Sequence, residues 1–338
     1  MAHPARSKVI LAFAAIYVIW GSTYLAIKFA IQTIPPFFMA SARFLVAGSL
    51  LYAFLRLRGE PPPRREHWPA ATVVGGLLLV AGNGSLVWSE QRVPSGLAAL
   101  LLATIPIWMV LTDSLRKPRT RLGPRVIAGL TMGIAGLALL VGPAKLWGSS
   151  RIDPVGAGML MFAAFAWSMG SLYSRQAKLP TSPFLAAAME MLAGAAMLAI
   201  VGTLSGEGRE FHWSAVSAPS VLGVLYLVVF GSLAGFTAYM WLLRVVSPAR
   251  VATYAYVNPA VAVFIGWAFA SEPLSARELL ATASIVGAVV LIISHRPAPV
   301  AVAPETEGLP TPEEERIMGI AGDDDTTAES AAGGRTAS

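Results

Sequence analysis

The 338-residue sequence contains no cysteine, and charged residues make up only 13% of it. Without cysteine, the chain can form no disulfide and no thiolate or cysteine-based metal site. Charged residues usually make up about a quarter of a soluble domain, so they are too scarce here to cover a water-exposed surface. These two absences exclude a disulfide scaffold and an ordinary soluble protein.

Motifs for hydrolytic catalysis and nucleotide binding are also absent from the sequence. It contains no HExxH, GxSxG or P-loop pattern. Its four histidines, His3, His67, His212 and His295, fall in predicted loops or tails. We therefore predict no catalytic residue, no metal site and no cofactor, which argues against an integral-membrane enzyme and against an ATP-driven pump.

Long apolar runs are abundant, since 55% of the residues are hydrophobic. A helix of about 20 apolar residues rises about 30 Å and matches the hydrocarbon core of a bilayer. Arg6 and Lys8 precede the first run, but no early small-residue cleavage site follows, so we interpret this run as a span and not as a removable signal. The sequence predicts an all-α integral membrane protein with ten transmembrane helices, at about residues 9–30, 36–56, 69–88, 95–114, 124–142, 154–174, 183–203, 218–242, 248–270 and 276–294.

Two internal sequence similarities divide the chain into halves. Shifting the sequence by 147 positions aligns one set of tryptophan and proline residues, and shifting it by 153 positions aligns another. The aligned pairs include Trp20 with Trp167, Pro36 with Pro183, Trp88 with Trp241, and Pro106 with Pro259. We predict two homologous repeats of five helices each, residues 9–142 and 154–294. Because five is odd, the second repeat enters the membrane from the opposite face, and such inverted repeats are typical of secondary transporters.

The positions of the charges predict the topology. If both termini are cytoplasmic, the inner segments carry 16 basic residues and the outer segments about six, as the positive-inside rule requires. The pI near 9.8 therefore reflects topology, and we predict no nucleic-acid partner. Residues 297–338 hold nine of the 19 acidic residues and no long apolar run, so we predict a disordered acidic cytoplasmic tail.

Several motifs together resemble the EamA family of the drug/metabolite transporter superfamily, and in particular its YedA-type inner-membrane exporters. They are WGSTY at 20–24, PPFFMASARFLVAG at 35–48, GNG at 82–84, VPSG at 93–96, ATIP at 103–106 and SPARVATYAYVNPAVAV at 247–263. The resemblance covers residues 9–294 and excludes the tail. It implies a ten-helix inverted-repeat fold in a bacterial inner (plasma) membrane. It also implies export of small metabolites, amino acids or drugs, driven by an ion or another gradient.

The first predicted span carries four candidate substrate-binding residues. Tyr17, Trp20, Tyr24 and Lys28 follow a 3-4-4 spacing, which places them on one helical face. Aromatic rings can stack on an organic molecule or bind a cation, and Lys28 could hold a carboxylate. The alternative is an aromatic packing seam, with Lys28 extending to the outer headgroups.

Further candidates for substrate binding come from the third, fourth and ninth spans: Asn83, Trp88, Thr104, Tyr254 and Asn258. Pro106 and Pro259 are predicted hinges, because a proline leaves the carbonyl four residues earlier without its helical partner. Packing alone is the alternative for both prolines. Glu90 is interpreted either as a gate or as part of a solvated rim beside Arg92.

Arg43 and Glu190 occupy equivalent positions, seven residues after Pro36 and Pro183. This spacing places each about 10 Å into the membrane, where a charge costs several kcal/mol unless it is paired or hydrated. Arg43 could bind an anionic group, and Glu190 could take up a proton or attract an amine. A purely structural charge is the alternative for both residues.

These patterns favour a secondary active transporter that works by alternating access around a midplane cavity. An uncoupled channel or facilitator remains the alternative, ahead of an integral-membrane enzyme. The expected partners are a small-molecule substrate, the lipid bilayer, and a proton or another coupling ion. Gly129, Gly133 and Gly136 predict close packing of the fifth span, either within the monomer or at a homodimer seam.

Overall fold

The structure is a computed structural model that describes residues 5–93, 95–114, 123–141, 153–261 and 275–294, and within these ranges it contains helices and no β-strand. The helices are α1 Arg6–Ala30, α2 Pro36–Leu57, α3 Arg65–Ser89, α4 Ser95–Leu102, α5 Ile105–Ser114, α6 Pro124–Val141, α7 Pro154–Ser174, α8 Pro183–Leu204, α9 Ala218–Val245, α10 Pro248–Val251, α11 over residues 254–261, and α12 Ala276–Ser294. Short helical turns, Glu207–Glu210 and Trp213–Ala215, lie between α8 and α9.

Six of the described helices are long and apolar enough to cross a membrane: α1, α2, α3, α7, α8 and α9. Two shorter apolar stretches, Pro124–Leu140 and Leu279–Ile292, belong to α6 and α12. Large apolar side chains cover the outside of the bundle; Leu11, for example, is 71% exposed and Ile200 is 58% exposed. A soluble protein rarely exposes so many large apolar side chains. The chain is therefore an all-helical membrane protein, as the sequence predicts.

The helix starts follow from local sequence. Proline occupies one of the first positions of α2, α7 and α8, where its missing N–H has no helical partner to lose. Asp153 caps α7 by accepting hydrogen bonds from the backbone N–H groups of Val155 (2.9 Å) and Gly156 (3.3 Å). Ser182 caps α8 through the backbone N–H of Leu185 (3.4 Å). Side-chain capping of this kind stabilises a helix by about 1 kcal/mol.

The predicted fourth and ninth spans are interrupted. A turn at residues 103–104 separates α4 from α5, and a turn at 252–253 separates α10 from α11. The first turn lies just before Pro106, whereas the second lies more than one helical turn before Pro259. Pro259 is therefore inside α11. The remainder of the predicted ninth span, residues 262–270, lies outside the described residues.

Two wide helical segments were not predicted from the sequence. Residues Gly76–Gly84 of α3 and Leu227–Phe236 of α9 form π-helices. A π-segment changes the direction of the following side chains, and such segments occur frequently at functional sites. Both segments face the central cavity described below.

The helices pack in a recurring pattern. Helix α2 lies against α8, α6 against α12, α3 against α7, and α1 against α9. The glycines of α6 are used within the monomer. A Cβ atom at Gly129 or Gly136 would lie 3.0–3.1 Å from a backbone oxygen of α12, and one at Gly133 would lie 2.9 Å from the ring of Tyr256. Their predicted close packing is thus found between α6 and its neighbours in the same chain.

Candidate functional site: the central cavity

A cavity lies between α1, α2, α3, α7, α9 and α11 and contains about 740 Å³ of space that protein atoms do not fill. Apolar side chains such as Ile27, Phe44 and Leu79 form much of its lining. Its polar lining consists of Thr23, Tyr24, Arg43, Asn83, Tyr254 and Asn258, with the indoles of Trp20 and Trp167 beside them. A mostly apolar pocket with a few convergent polar groups is the usual form of a small-molecule site.

Three aromatic rings, Trp20, Trp167 and Tyr254, form one wall of the cavity, and Tyr239 packs behind them. Trp20 packs edge-to-face against Trp167 (5.8 Å between ring centroids) and Tyr254 (4.8 Å). Tyr239, which is fully buried, contacts both tryptophans and Tyr254. Such edge-to-face pairs are favourable beyond their buried area, so the wall is held in a defined arrangement.

The polar atoms of this wall are bonded to the protein. Trp20 Nε1 donates to the carbonyl oxygen of Gly231 (3.1 Å), and Trp167 Nε1 donates to Tyr239 Oη (2.8 Å). A hydrogen bond also joins Tyr239 Oη and Ser171 Oγ (2.5 Å). Because these donors are used, the two indoles offer a passing molecule ring surface, and the Tyr254 hydroxyl is the polar group that this wall contributes to the lining.

Each tryptophan depends on a glycine in one of the π-segments. A Cβ atom at Gly82 would lie 2.8 Å from Trp167 Cε3, and a Cβ atom at Gly235 would overlap the indole of Trp20. These four residues are the same pairs that the sequence repeats align, Trp20 with Trp167 and Gly82 with Gly235. Glycine is therefore needed at both positions to admit the indoles.

Arg43 brings a positive charge to the cavity. Its side chain is only 5% exposed, and its Nε donates to Ser232 Oγ (2.9 Å) of α9. The guanidinium carbon lies 4.3 Å from the ring centroid of Phe44. Its Nη1 is buried and has no hydrogen-bond partner in the described part of the chain. Since a buried donor without an acceptor is costly, this nitrogen is a candidate contact for a bound molecule.

The sequence did not assign Thr23 or Trp167, which line the cavity, or Glu90, which lies next to the lining residues without being one of them, to substrate binding. Glu90 directly follows Ser89 at the end of α3, and its charge acts on both Arg43 and Tyr24. Its Oε1 is buried without a hydrogen-bond partner among the described residues, and no ion pair within 4.0 Å joins it to Arg43. Its position seven residues after Asn83, on the same helical face, was the available signal.

The break between α10 and α11 is tied to α1. A hydrogen bond joins Tyr17 Oη and Thr253 Oγ1 (2.6 Å). With its amide nitrogen turned toward the backbone, Asn258 donates to the carbonyl oxygens of Tyr254 (3.0 Å) and Tyr17 (3.2 Å). Tyr17 thus supports the site from behind, while Tyr254 and Asn258 line the cavity itself.

Three further candidates lie away from the central cavity. Lys28 is exposed in the last turn of α1, and Trp88 lines a second cavity. Thr104 donates to the carbonyl oxygen of Leu101 (2.6 Å) within the turn between α4 and α5. The structure therefore brings Trp20, Tyr24, Asn83, Tyr254, Asn258 and Arg43 together in the lining and leaves Tyr17, Lys28, Trp88 and Thr104 outside it.

The second cavity lies where the α1–α2 connection meets the ends of α3 and α8. Trp88, Gln91, Arg92 and Glu207 are among its lining residues. Glu207 accepts hydrogen bonds from the backbone N–H groups of Phe37 (3.0 Å) and Phe38 (2.9 Å), so it caps α2 from the other half of the chain. Burial raises the pKa of Glu207 above its ordinary value, while these two hydrogen bonds act in the opposite direction.

Glu190 lies outside the central cavity. Its side chain is fully buried in α8, and both carboxylate oxygens lack a hydrogen-bond partner within the described ranges. The charge that acts on it comes from Arg244, whose guanidinium donates to the carbonyl oxygens of Thr181 (2.6 Å) and Pro180 (3.0 Å). Arg43 and Glu190, equivalent in sequence, thus have different surroundings.

A transporter family and proteins that are named as transporters match the chain over most of its length. Residues 7–142 and 154–294 each match the EamA-like transporter family. The inner membrane transporter YedA of Escherichia coli (strain K12) is 41% identical over 300 residues, which cover 87% of this chain and 94% of that protein. The transporter YvbV of Bacillus subtilis (strain 168) is 25% identical over 298 residues, which cover 88% of this chain and 95% of that protein. A solved crystal structure of a protein 22% identical in sequence has the same fold, with a TM-score of 0.69, and the match covers 85% of this chain and 96% of that one.

Proposed function

The chain belongs to the EamA-like transporter family, and on that premise we propose that it is a secondary active transporter that exports a small organic solute. The solute would be a metabolite, an amino acid or a drug, and it would bind in the central cavity. Alternating access then means that the cavity opens in turn to the two sides of the membrane.

The observation that carries this proposal is the composition of the central cavity. Six polar side chains converge on a space otherwise walled by apolar and aromatic groups, in the middle of an apolar bundle. Polar groups inside a membrane are costly unless they are used, so they mark substrate pathways.

The proposed architecture is a pair of inverted five-helix repeats, residues 9–142 and 154–294, with ten spans in all. Its support is the sequence repeat and the matching contacts of Trp20 with Gly235 and of Trp167 with Gly82. Pro106 and Pro259 are the proposed hinges: Pro106 lies at the start of α5, just after the turn at residues 103–104, and Pro259 removes a hydrogen bond inside α11. We assign residues 297–338, outside the described ranges, to an acidic cytoplasmic tail.

The proposed location is a bacterial inner (plasma) membrane, with both termini in the cytoplasm. YedA is named an inner membrane transporter, and the excess of basic residues in the predicted inner segments supports the orientation of the termini. Transport would be coupled to a proton or another ion, with Arg43 and Glu190 as candidate coupling or structural charges. A homodimer remains part of the hypothesis.

An uncoupled channel or facilitator is the second candidate function, because a polar path is all that it needs. The turn at residues 103–104 and the turn at 252–253 favour alternating access over a fixed pore, since broken helices next to a cavity can move as separate pieces.

The test is solute transport by the purified chain in liposomes, preceded by a screen for ligands that raise its melting temperature. Amino acids, sugars, polyamines and lipophilic cations form the screen. Trp20→Ala should abolish both the thermal shift and saturable transport. Trp213→Ala should change neither, because Trp213 is 83% exposed in a loop.

The two outcomes separate the candidate functions. Saturable transport that accumulates solute against its gradient supports the secondary transporter. Rapid flux that never exceeds equilibration supports the channel and contradicts the proposal. Absence of solute movement in liposomes that contain folded protein contradicts both.

A further inference from the structure

We propose that the central cavity binds an organic anion through Arg43, and that Glu90 takes up a proton when the anion binds. This inference rests on the proposed function, because it assigns a substrate class and a coupling residue to the same cavity. It differs from the sequence-based hypothesis, in which Glu190 carries the proton.

The first support is the unused hydrogen-bonding capacity of Arg43. A guanidinium presents five N–H donors in a planar fork that matches a carboxylate or a sulfonate. Nε of Arg43 is held by Ser232 Oγ at 2.9 Å, and the guanidinium rests on the ring of Phe44. These contacts fix the fork while Nη1 stays without an acceptor in the described residues. The side chain is therefore positioned for an anion that it does not yet hold.

The second support is the position of Glu90 beside two residues of the cavity lining. The end of α3, which Glu90 follows, packs against α2, the helix that carries Arg43. The charge of Glu90 acts on Arg43 and Tyr24, yet Glu90 forms no ion pair with Arg43 within 4.0 Å in the described ranges. Its Oε1 is buried and has no hydrogen-bond partner there. Arg43 and the half-buried Glu90 thus each carry one buried polar atom without a hydrogen-bond partner in the described residues.

Among the described residues, Arg43 is the charged group that acts on Glu90. Helix α7, which packs against the end of α3, contains no Asp, Glu, Lys, Arg or His. Arg92, two residues along the chain, is turned to Asp153 at 3.7 Å and to the ring of Trp88 at 4.3 Å. Of the described residues, Arg43 is therefore the positive charge that balances an ionised Glu90.

Charge balance then couples the two events. Without a ligand, and at a pH above the titration of Glu90, Arg43 and the ionised Glu90 carry opposite charges that act on each other. When an anion occupies Arg43, the guanidinium is neutralised by the ligand, and Glu90 is left as an excess negative charge in apolar surroundings. Such a charge is strongly disfavoured. A proton from water that adds to the Glu90 carboxylate restores neutrality, and no other bond forms or breaks.

The aromatic wall defines the rest of the ligand. The indole and phenol donors of Trp20, Trp167 and Tyr239 are already bonded to protein atoms. The wall therefore offers ring surface, which suits an apolar and preferably flat body. The expected ligand is an amphipathic organic anion whose head reaches Arg43.

The test uses four probes with the same aromatic body and different heads: 3-phenyl-1-propanesulfonate, 3-phenyl-1-propylamine, 3-phenyl-1-propanol and phenylalanine. Binding to the full chain in lipid nanodiscs is measured by calorimetry, in two buffers of different ionisation enthalpy at each pH. The sulfonate stays ionised throughout, so any pH dependence of its binding belongs to the protein. The sulfonate should bind more tightly than the amine and the alcohol.

The sulfonate should bind with the uptake of one proton, and its Kd should rise about tenfold per pH unit above the titration of Glu90. Glu90→Gln should bind the sulfonate with no proton uptake and a flat pH profile. Arg43→Gln should weaken binding by ~10-fold or more, because a hydrogen bond to a charged group is lost, while Arg43→Lys should recover part of it. Arg58→Gln and Glu60→Gln, in the exposed segment after α2, serve as charge-matched controls.

Three results would overturn the inference. The first is that the amine, or phenylalanine, binds more tightly than the sulfonate. The second is sulfonate binding that Arg43→Gln leaves unchanged. The third is proton uptake that persists in Glu90→Gln. Saturable liposome transport of cations alone would leave the proposed function intact and refute the anion site. Anion binding without any transport would refute the function and leave the site intact.

Discussion

The substitution Gly235→Ala tests how the π-segment of α9 holds the aromatic wall. The added Cβ would overlap the indole of Trp20, which packs against Trp167 and Tyr254 and cannot move freely. Overpacking of this kind costs about 1–3 kcal/mol. Displacing the indole would also break its hydrogen bond to the carbonyl oxygen of Gly231, at about 1 kcal/mol. The higher helix propensity of alanine offsets about 1 kcal/mol, so the net loss should be about 1–3 kcal/mol.

The assay is unfolding of the purified chain in mixed detergent micelles, followed by tryptophan fluorescence, with ligand affinity measured in parallel. Gly158→Ala is the matched control. This glycine is also helical, but no atom lies within 4 Å of its would-be Cβ. Gly158→Ala should therefore leave the free energy of unfolding unchanged or raise it by up to about 1 kcal/mol.

A double-mutant cycle identifies the cause. If the overlap with the indole is responsible, Gly235→Ala should cost less when Trp20 is already replaced by Phe, since the smaller ring lacks Nε1. Equal costs in both backgrounds would refute the steric explanation. So would a Gly235→Ala protein as stable as the Gly158→Ala control.

Three further predictions concern the contacts around the site. Thr253→Val should destabilise the chain by about 1–3 kcal/mol in the same unfolding assay, because Tyr17 Oη loses its partner; adding Tyr17→Phe should recover much of that loss, and no recovery would contradict the bond. Asp153→Ala should lower the free energy of unfolding by about 1 kcal/mol through loss of the α7 cap, and Asp153→Asn should retain most of that stability. Because burial raises the pKa of Glu207, the folded chain binds this proton more tightly than the unfolded chain does. Stability should then fall as pH rises from about 4.3 through the raised pKa, and Glu207→Gln should flatten that part of the profile.

The membrane class and the family could be predicted from the sequence, because both depend on properties that are read along the chain. Apolar runs near 20 residues specify helices that cross a bilayer, whatever they pack against. The motifs from residue 20 to residue 263 carry the resemblance to the EamA family, and that resemblance is confirmed. The 3-4-4 spacing of four residues in α1 also placed two cavity residues, Trp20 and Tyr24, on one face of this helix.

The same spacing failed to separate Lys28 and Tyr17 from the cavity, since a shared helical face does not specify depth or neighbours. Lys28 reaches the exposed end of α1, and Tyr17 is drawn to Thr253. The predicted equal depth of Arg43 and Glu190 likewise came from counting residues along each helix separately. The cavity contains Arg43, whereas Glu190 is enclosed by packing around α8.

The sequence by itself determined that this chain is a helical membrane protein of a transporter family, because hydrophobicity and motif order are local properties. Only the tertiary structure decided which charges meet. The influence of the Glu90 charge on Arg43 depends on how the end of α3 packs against α2. The indole positions depend on glycines more than 60 residues away along the chain. Such contacts join residues from different helices, and the spacing within any one helix carries no information about them.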